Sequence, residues 1–282
     1  MVIVLLLSCN NANTDSKLPS SDKIAIDNHG VKIDYTDTGR GDTTLVLVHG
    51  WCINKTYWSN QVDFFRSKYR VVTVDLPGFG QSGKNRTSWN TATFGSDIDT
   101  VLSRLDLKNV ILVGHSMAGD IILQAAINAP HRVIGLVGVD NFKNCNYTET
   151  KQEKEDDAKA IDLLKHNFKQ VAFQYFNQSL FYKTTVDSIR ERVLNDVARA
   201  DTGIAAACME QQGFDEVKNL VAVKKKLSLI NSDVTPTDTT AFIANHILYQ
   251  IFYIHETGHY PMIEKPKEFN SLLEVAIAKI NK

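Results

Sequence analysis

The sequence has little of what marks several protein classes. Lysine and arginine number 31 against 32 acidic residues, a formal net charge of −1. No field of one sign favours nucleic acid or another polyanion as partner. The four cysteines, Cys9, Cys52, Cys145 and Cys208, form no C-x-x-C pair, so a zinc ribbon or a thioredoxin-like motif is not expected. The one apolar run at the start, Val2 to Leu7, is far too short to span a bilayer. There is no internal repeat and no low-complexity segment. No G-x-G-x-x-G follows the first strand, and "PGFGQSG" follows a later strand and opens no clear helix, which argues against hydride transfer on a dinucleotide-binding fold. What remains is a chain of 282 residues with ordinary hydrophobic content. That is enough for one large α/β core, with or without an insertion.

The first residues differ from the rest. The apolar run is followed by Ser8-Cys9 and then a polar stretch, Asn10 to Ser20. Leu6-Leu7-Ser8-Cys9 resembles a bacterial lipoprotein processing box, in which the cysteine becomes the lipidated residue. The expectation is a signal remnant over 1–9, lipidation at Cys9, a tether over 10–23, and a membrane-anchored lipoprotein of the cell envelope. A secreted or cytoplasmic protein is the alternative.

From residue 24 onward the pattern alternates between strand and helix. "TTLVLVHG", "YRVVTVD", "NVILVGH" and "RVIGLVGVD" are continuous apolar, β-rich runs, as in strands of a parallel sheet buried on both faces. "FGSDIDTVLSRLDL" and the stretch after "GHS" have helical spacing. Between about Asn141 and Val223 the alternation stops, and helical periodicity appears in "AIDLLKHNFKQVAFQYF". It resumes with "KLSLINS" as strand, "TDTTAFIANH" as helix, "QIFYIHE" as strand and a last amphipathic helix. The expected architecture is a mostly parallel, doubly wound sheet. Its core occupies 24–142 and 223–282, and a helical lid is inserted over 143–222.

The strongest local signal is Gly114-His115-Ser116-Met117-Ala118-Gly119, a G-x-S-x-G placed between a buried strand and a helix. A strand-to-helix turn this sharp strains its central residue and lifts the serine hydroxyl above the edge of the sheet. The following helix N-terminus favours negative charge there.

With this motif, His49-Gly50-Trp51, "DLPGFGQS" and "GHYPMIEKPKEFN" in this order, the chain resembles the α/β-hydrolase fold family over about residues 24–282. The resemblance implies a serine-nucleophile, esterase-like enzyme that needs no cofactor and acts on a small, mostly apolar ester-like substrate. Aspartate-nucleophile relatives, the haloalkane dehalogenases and epoxide hydrolases, are set aside because Ser116 stands at that position. Peptidase, lactonase, C–C hydrolase and perhydrolase relatives are not. The family order of nucleophile, acid, base makes His259 the base. The acid is Asp140 at the end of the sixth strand or, as the alternative, Asp233, with Asp238 nearby. Asp140 follows the apolar run "GLVGV", and a carboxylate there needs a partner to stay ionised. The resemblance also places the oxyanion hole at the N–H groups of Trp51 and Met117, with His49 bracing the loop. Phe168, Phe173, Tyr175, Phe176, Phe181 and Tyr182 either line an apolar entrance or form the lid's own small core. Cys52 and Cys145 follow strand ends above the sheet and are candidates for a disulfide.

Two rival readings stand beside this one. A non-catalytic member of the fold would use its pocket to bind a ligand, and an intact Ser/His/Asp set argues against it. "HETGH", His255 to His259, matches the zinc-peptidase pattern H-E-x-x-H. That pattern holds a metal only when a helix sets both histidines on one face. Here the first histidine ends a β-run, Gly258 and Pro261 oppose a helix, and Glu268 and Glu274 fit the solvated face of the last helix. No metal is therefore expected.

Overall fold

The computed structural model of the chain describes residues 24–210 and 213–281. The signal remnant, Cys9 and the tether lie outside the described residues. An eight-stranded sheet organises the rest, in the order β1-β2-β4-β3-β5-β6-β7-β8. The chain enters it through β1 (Ile26–Asn28), β2 (Val31–Asp37) and β3 (Thr44–Val48), then runs through α1 (Ser59–Phe65), β4 (Arg70–Asp75), α2 (Thr91–Arg104), β5 (Val110–His115), α3 (Ala118–Asn128) and β6 (Val133–Val139). The segment before the next strand carries α4 (Lys151–His166), α5 (Phe168–Tyr175), α6 (Asp187–Arg199), α7 (Thr202–Met209) and α8 (Glu216–Val223). The sheet then closes with β7 (Lys226–Ser232), α9 (Thr240–Ala244) and β8 (Tyr249–Ile254), followed by α10 (Pro261–Glu264) and α11 (Pro266–Ile280).

Pairing is antiparallel from β1 to β2 and from β2 to β4, and parallel everywhere else. The sequence accounts for this. β3 and β5 are buried at every position, as strands with helices on both faces must be. β2, between the edge strand β1 and β4, alternates buried and exposed residues, as a strand with one solvent-facing side does. α2 packs on α3, and α1 on α11; right-handed crossovers put these pairs on opposite faces. The order reverses between β3 and β5, so the crevice of the fold opens at their C-terminal ends.

Two expected helices differ in extent. The periodic stretch around 160–176 is two helices, broken at Asn167 (φ −133°). The helix expected over 237–246 is confined to Thr240–Ala244. The Asp238 carboxylate accepts the Thr240 N–H at 2.8 Å before it begins, and His246 takes the left-handed conformation after it ends. No helix among the described residues is long and apolar enough to cross a membrane.

Candidate active site

Ser116 stands at the turn between β5 and α3 with φ +54°. A left-handed non-glycine residue costs about 1–3 kcal/mol, so the surroundings must impose it. They do so from three directions. The Ser116 N–H donates to Val139 O at the end of β6 (2.9 Å), and its carbonyl accepts from Gly119 N–H (2.9 Å). The Asn141 side-chain amide donates to Gly114 O (2.8 Å) and Ser116 O (3.1 Å). Glycine is required at 114, where a Cβ would come within 2.4 Å of Ala118 O.

His259 lies on the loop between β8 and α10 and is held at backbone and ring. Its N–H donates to Leu180 O at 2.8 Å, so the helical segment between β6 and β7 directly fixes the loop. This close approach is why residue 258 is glycine: a Cβ there would lie 2.4 Å from Leu180 O. The His259 carbonyl accepts from His115 Nε2 at 2.7 Å, and the His259 ring Nδ1 lies 2.6 Å from Asp140 Oδ2.

Asp140 follows β6 in the left-handed conformation (φ +50°) and is only 8% exposed. Oδ2 meets His259, while Oδ1 accepts from Ser232 N–H (2.9 Å) and Ser232 Oγ (2.8 Å) and pairs with Lys143 Nζ (2.7 Å). Burial alone would raise this carboxyl. The His259 hydrogen bond and charge, followed by Lys143, outweigh burial and hold it well below the usual carboxylate range. Asp140 is therefore an anion that carries Nδ1–H on its partner and leaves His259 Nε2 as the basic nitrogen.

The alternative acids are elsewhere. Asp233 pairs with His255 Nδ1 at 2.7 Å on an exposed surface, and the Asp238 carboxylate accepts the Thr240 N–H at the start of α9. His255 and His259 lie on a non-helical loop, so the H-E-x-x-H match does not create one helical face. Among the described residues, no group of three or more His, Cys, Asp or Glu side chains is placed to hold a metal ion.

The N–H groups of Trp51, after β3, and Met117, after Ser116, donate to no acceptor among the described residues. Both residues line a cavity of about 250 Å³ together with Ser116, His259, Tyr175 and Phe176. Trp51 is fixed by its indole N–H to Ala205 O (2.9 Å) and by the rings of Phe168 and Phe176. His49 braces the loop: its Nε2 accepts from Leu76 N–H (3.0 Å), which leaves Nδ1–H for Gly50 O (2.7 Å). Burial lowers its pKa and keeps it neutral in that role.

Of the aromatic candidates, Tyr175 and Phe176 reach the cavity, and Phe168 packs behind Trp51. Phe173, Phe181 and Tyr182 lie under Lys169, Arg190 and Lys183 instead. The Cys52–Cys145 disulfide is not formed. All three described cysteines are free. Burial and then Cys208 push the Cys52 thiol up, whereas burial and then Glu216 push up Cys145, so the two sit in different surroundings. Lys143 and Ser232 complete the site without a signal of their own in the sequence, and His115 joins them. The one signal for His115 was its place inside the serine motif.

The family model described as the alpha/beta hydrolase fold matches residues 43–181. The dihydrolipoyllysine-residue acetyltransferase component of an acetoin cleaving system from Cupriavidus necator is 26% identical over 87% of this chain. The chain spans 66% of that protein's length, and 32% and 35% of two further relatives with 40% and 39% identity. The 3-oxoadipate enol-lactonase 2 of Acinetobacter baylyi is 22% identical over 89% of this chain and 95% of its own. A solved esterase from Thermogutta terrifontis superposes with a TM-score of 0.78 at 20% identity, over 92% of this chain and 98% of the other.

Proposed function

The chain belongs to the α/β-hydrolase fold family, and from that premise we propose that it is a serine hydrolase of a small, mostly apolar carboxylic ester. One observation carries the reading: Asp140 and His259 are joined at 2.6 Å, and His259 shares its cavity with a strained Ser116.

In the proposed reaction the Ser116 oxygen attacks the ester carbonyl while His259 Nε2 takes its proton. Asp140 holds the imidazole in the required tautomer and stabilises the imidazolium. The carbonyl π-electrons move onto oxygen, and the Trp51 and Met117 N–H groups bind that oxyanion. The tetrahedral species collapses, the C–O bond to the alcohol breaks, and His259 gives the departing alkoxide its proton. Water then attacks the acyl-enzyme with His259 as base, releasing the acid and restoring Ser116. The chemistry asks nothing of a cofactor.

The test is titration with p-nitrophenyl diethyl phosphate, which leaves a stable phosphoryl group on an activated serine. The reading expects one p-nitrophenolate released per chain, a mass adduct on Ser116, and neither in Ser116→Ala. A wild-type chain that takes no adduct, or takes it elsewhere, fits a ligand-binding member of the fold and overturns the proposal.

Attachment to a bacterial envelope membrane through a lipid on Cys9 is a separate proposal, supported by the Leu6-Leu7-Ser8-Cys9 box. It expects radiolabelled palmitate in the full chain and none in Cys9→Ala.

A further inference from the structure

The chamber above Ser116 has a neighbour. A second cavity of about 300 Å³ is lined by Trp51, Tyr175 and Met209, which also line the first, and by Leu164, Ile161 and Ala172 deeper between α4 and α5. The two cavities are therefore compartments that meet across three side chains. The shared residues are not alike. Trp51 is locked by its hydrogen bond and ring contacts and is 9% exposed. Tyr175 and Met209 are 45% and 43% exposed, and neither side chain has a hydrogen bond among the described residues. One wall of the junction is rigid, and the other two are free to change rotamer.

The second compartment is built by helical spacing. Asp157, Ala160, Ile161 and Leu164 stand at i, i+3, i+4 and i+7, one face of α4. They are graded in depth: Asp157 and Ala160 are exposed, Ile161 is half-buried and Leu164 is buried. On α5, Val171 and the buried Ala172 complete the wall. The lining is apolar apart from the Tyr175 hydroxyl and the one carboxylate at the outer end. Small residues at 160 and 172 leave a slot where larger ones would fill it.

We propose that this groove holds an extended, unbranched apolar chain of the ester, running from Ser116 past Tyr175 and Met209 and out along α4. The inference rests on the serine-hydrolase reading and narrows it to medium-chain esters. Chain burial would raise kcat/KM about three- to fourfold per methylene until the groove is full. The exposed Asp157 would disfavour a chain that ends in a carboxylate. The chain belongs to either the acyl or the alkoxy side, and p-nitrophenyl decanoate and decyl acetate distinguish the two.

The test compares the wild-type chain with Ala160→Trp and, should that fold poorly, Ile161→Gln. Each narrows or wets the groove without touching the Ser116 chamber. The substrates are p-nitrophenyl esters from acetate to decanoate and decyl acetate. In parallel, decan-2-one is titrated calorimetrically into Ser116→Ala with and without the groove substitution. The proposal expects hydrolysis of p-nitrophenyl acetate within twofold of wild type, at least a tenfold loss on p-nitrophenyl decanoate or decyl acetate, and at least tenfold weaker ketone binding. A flat chain-length profile with unchanged ketone binding overturns the groove and leaves the hydrolase reading intact. Weakened ketone binding in a chain that hydrolyses no ester sustains the groove and removes the hydrolase reading.

Discussion

The ammonium of Lys143 sits 2.7 Å from Oδ1 of Asp140, the oxygen that does not face His259. Lys143 also reaches Ser232 Oγ at 3.2 Å and Ser232 O at 3.3 Å, and its carbonyl accepts from Asp238 N–H. It ties the loops after β6 and β7 together and takes part of the charge that would otherwise act on His259 alone. Removing it should leave a more effective anion beside the imidazolium. We expect Lys143→Met to move the acid limb of kcat/KM to higher pH by on the order of one unit, and Lys143→Arg to restore it. An unmoved limb in an active Lys143→Met variant would deny Lys143 this role.

His115 gives a stability signature. Burial and the neighbouring His259 push its pKa down to about 3, so it stays neutral while donating to the His259 carbonyl. The unfolded chain binds a proton here below about pH 6.5 and the folded chain does not. Wild-type stability from this group therefore falls as pH drops from about 6.5 toward 3. His115→Phe removes the donor at a cost of about 1–3 kcal/mol, and it removes the titration as well. The gap in melting temperature between wild type and variant should be wide at pH 8 and narrower at pH 4. A gap of equal width at both would contradict it.

A second titrating contact joins α3 to α8. Asp120 is raised by burial and then by the Glu216 carboxylate, to which it is hydrogen-bonded, so the folded pair keeps a proton that the unfolded chain has lost. Stability from this pair is full below the ordinary carboxylate range and falls as pH rises toward the raised value. Asp120→Asn mimics the protonated state. It should melt like wild type at pH 3 and higher than wild type at pH 9; a variant destabilised at pH 9 would refute the retained proton on Asp120.

Much of this site is legible in the sequence because its pieces lie at strand ends. A buried β-run that stops at a G-x-S-x-G fixes the place of Ser116, and a half-buried one that stops before Gly258 fixes His259. Asp140 stands out over Asp233 in the sequence because it ends an apolar strand, and in the fold it is Asp140 that meets His259. Asp233 lies only one residue beyond β7, and its direction toward His255 depends on a turn the sequence does not specify. Lys143 and Ser232 were not legible, since they meet only when the loops after β6 and β7 converge. The grip of Leu180 on His259 was hidden for the same reason: it joins residues 79 positions apart through backbone atoms alone.

The most direct measurement is kcat/KM on a p-nitrophenyl ester for wild type, Ser116→Ala, Asp140→Asn and Asp233→Asn. Loss of a triad acid typically lowers the rate about 10⁴-fold, and loss of the nucleophile lowers it further. The expected result is a loss of roughly that size in Asp140→Asn, at least as large in Ser116→Ala, and a value within about twofold of wild type in Asp233→Asn. Activity that survives Ser116→Ala, or a loss in Asp233→Asn that equals the loss in Asp140→Asn, would contradict it.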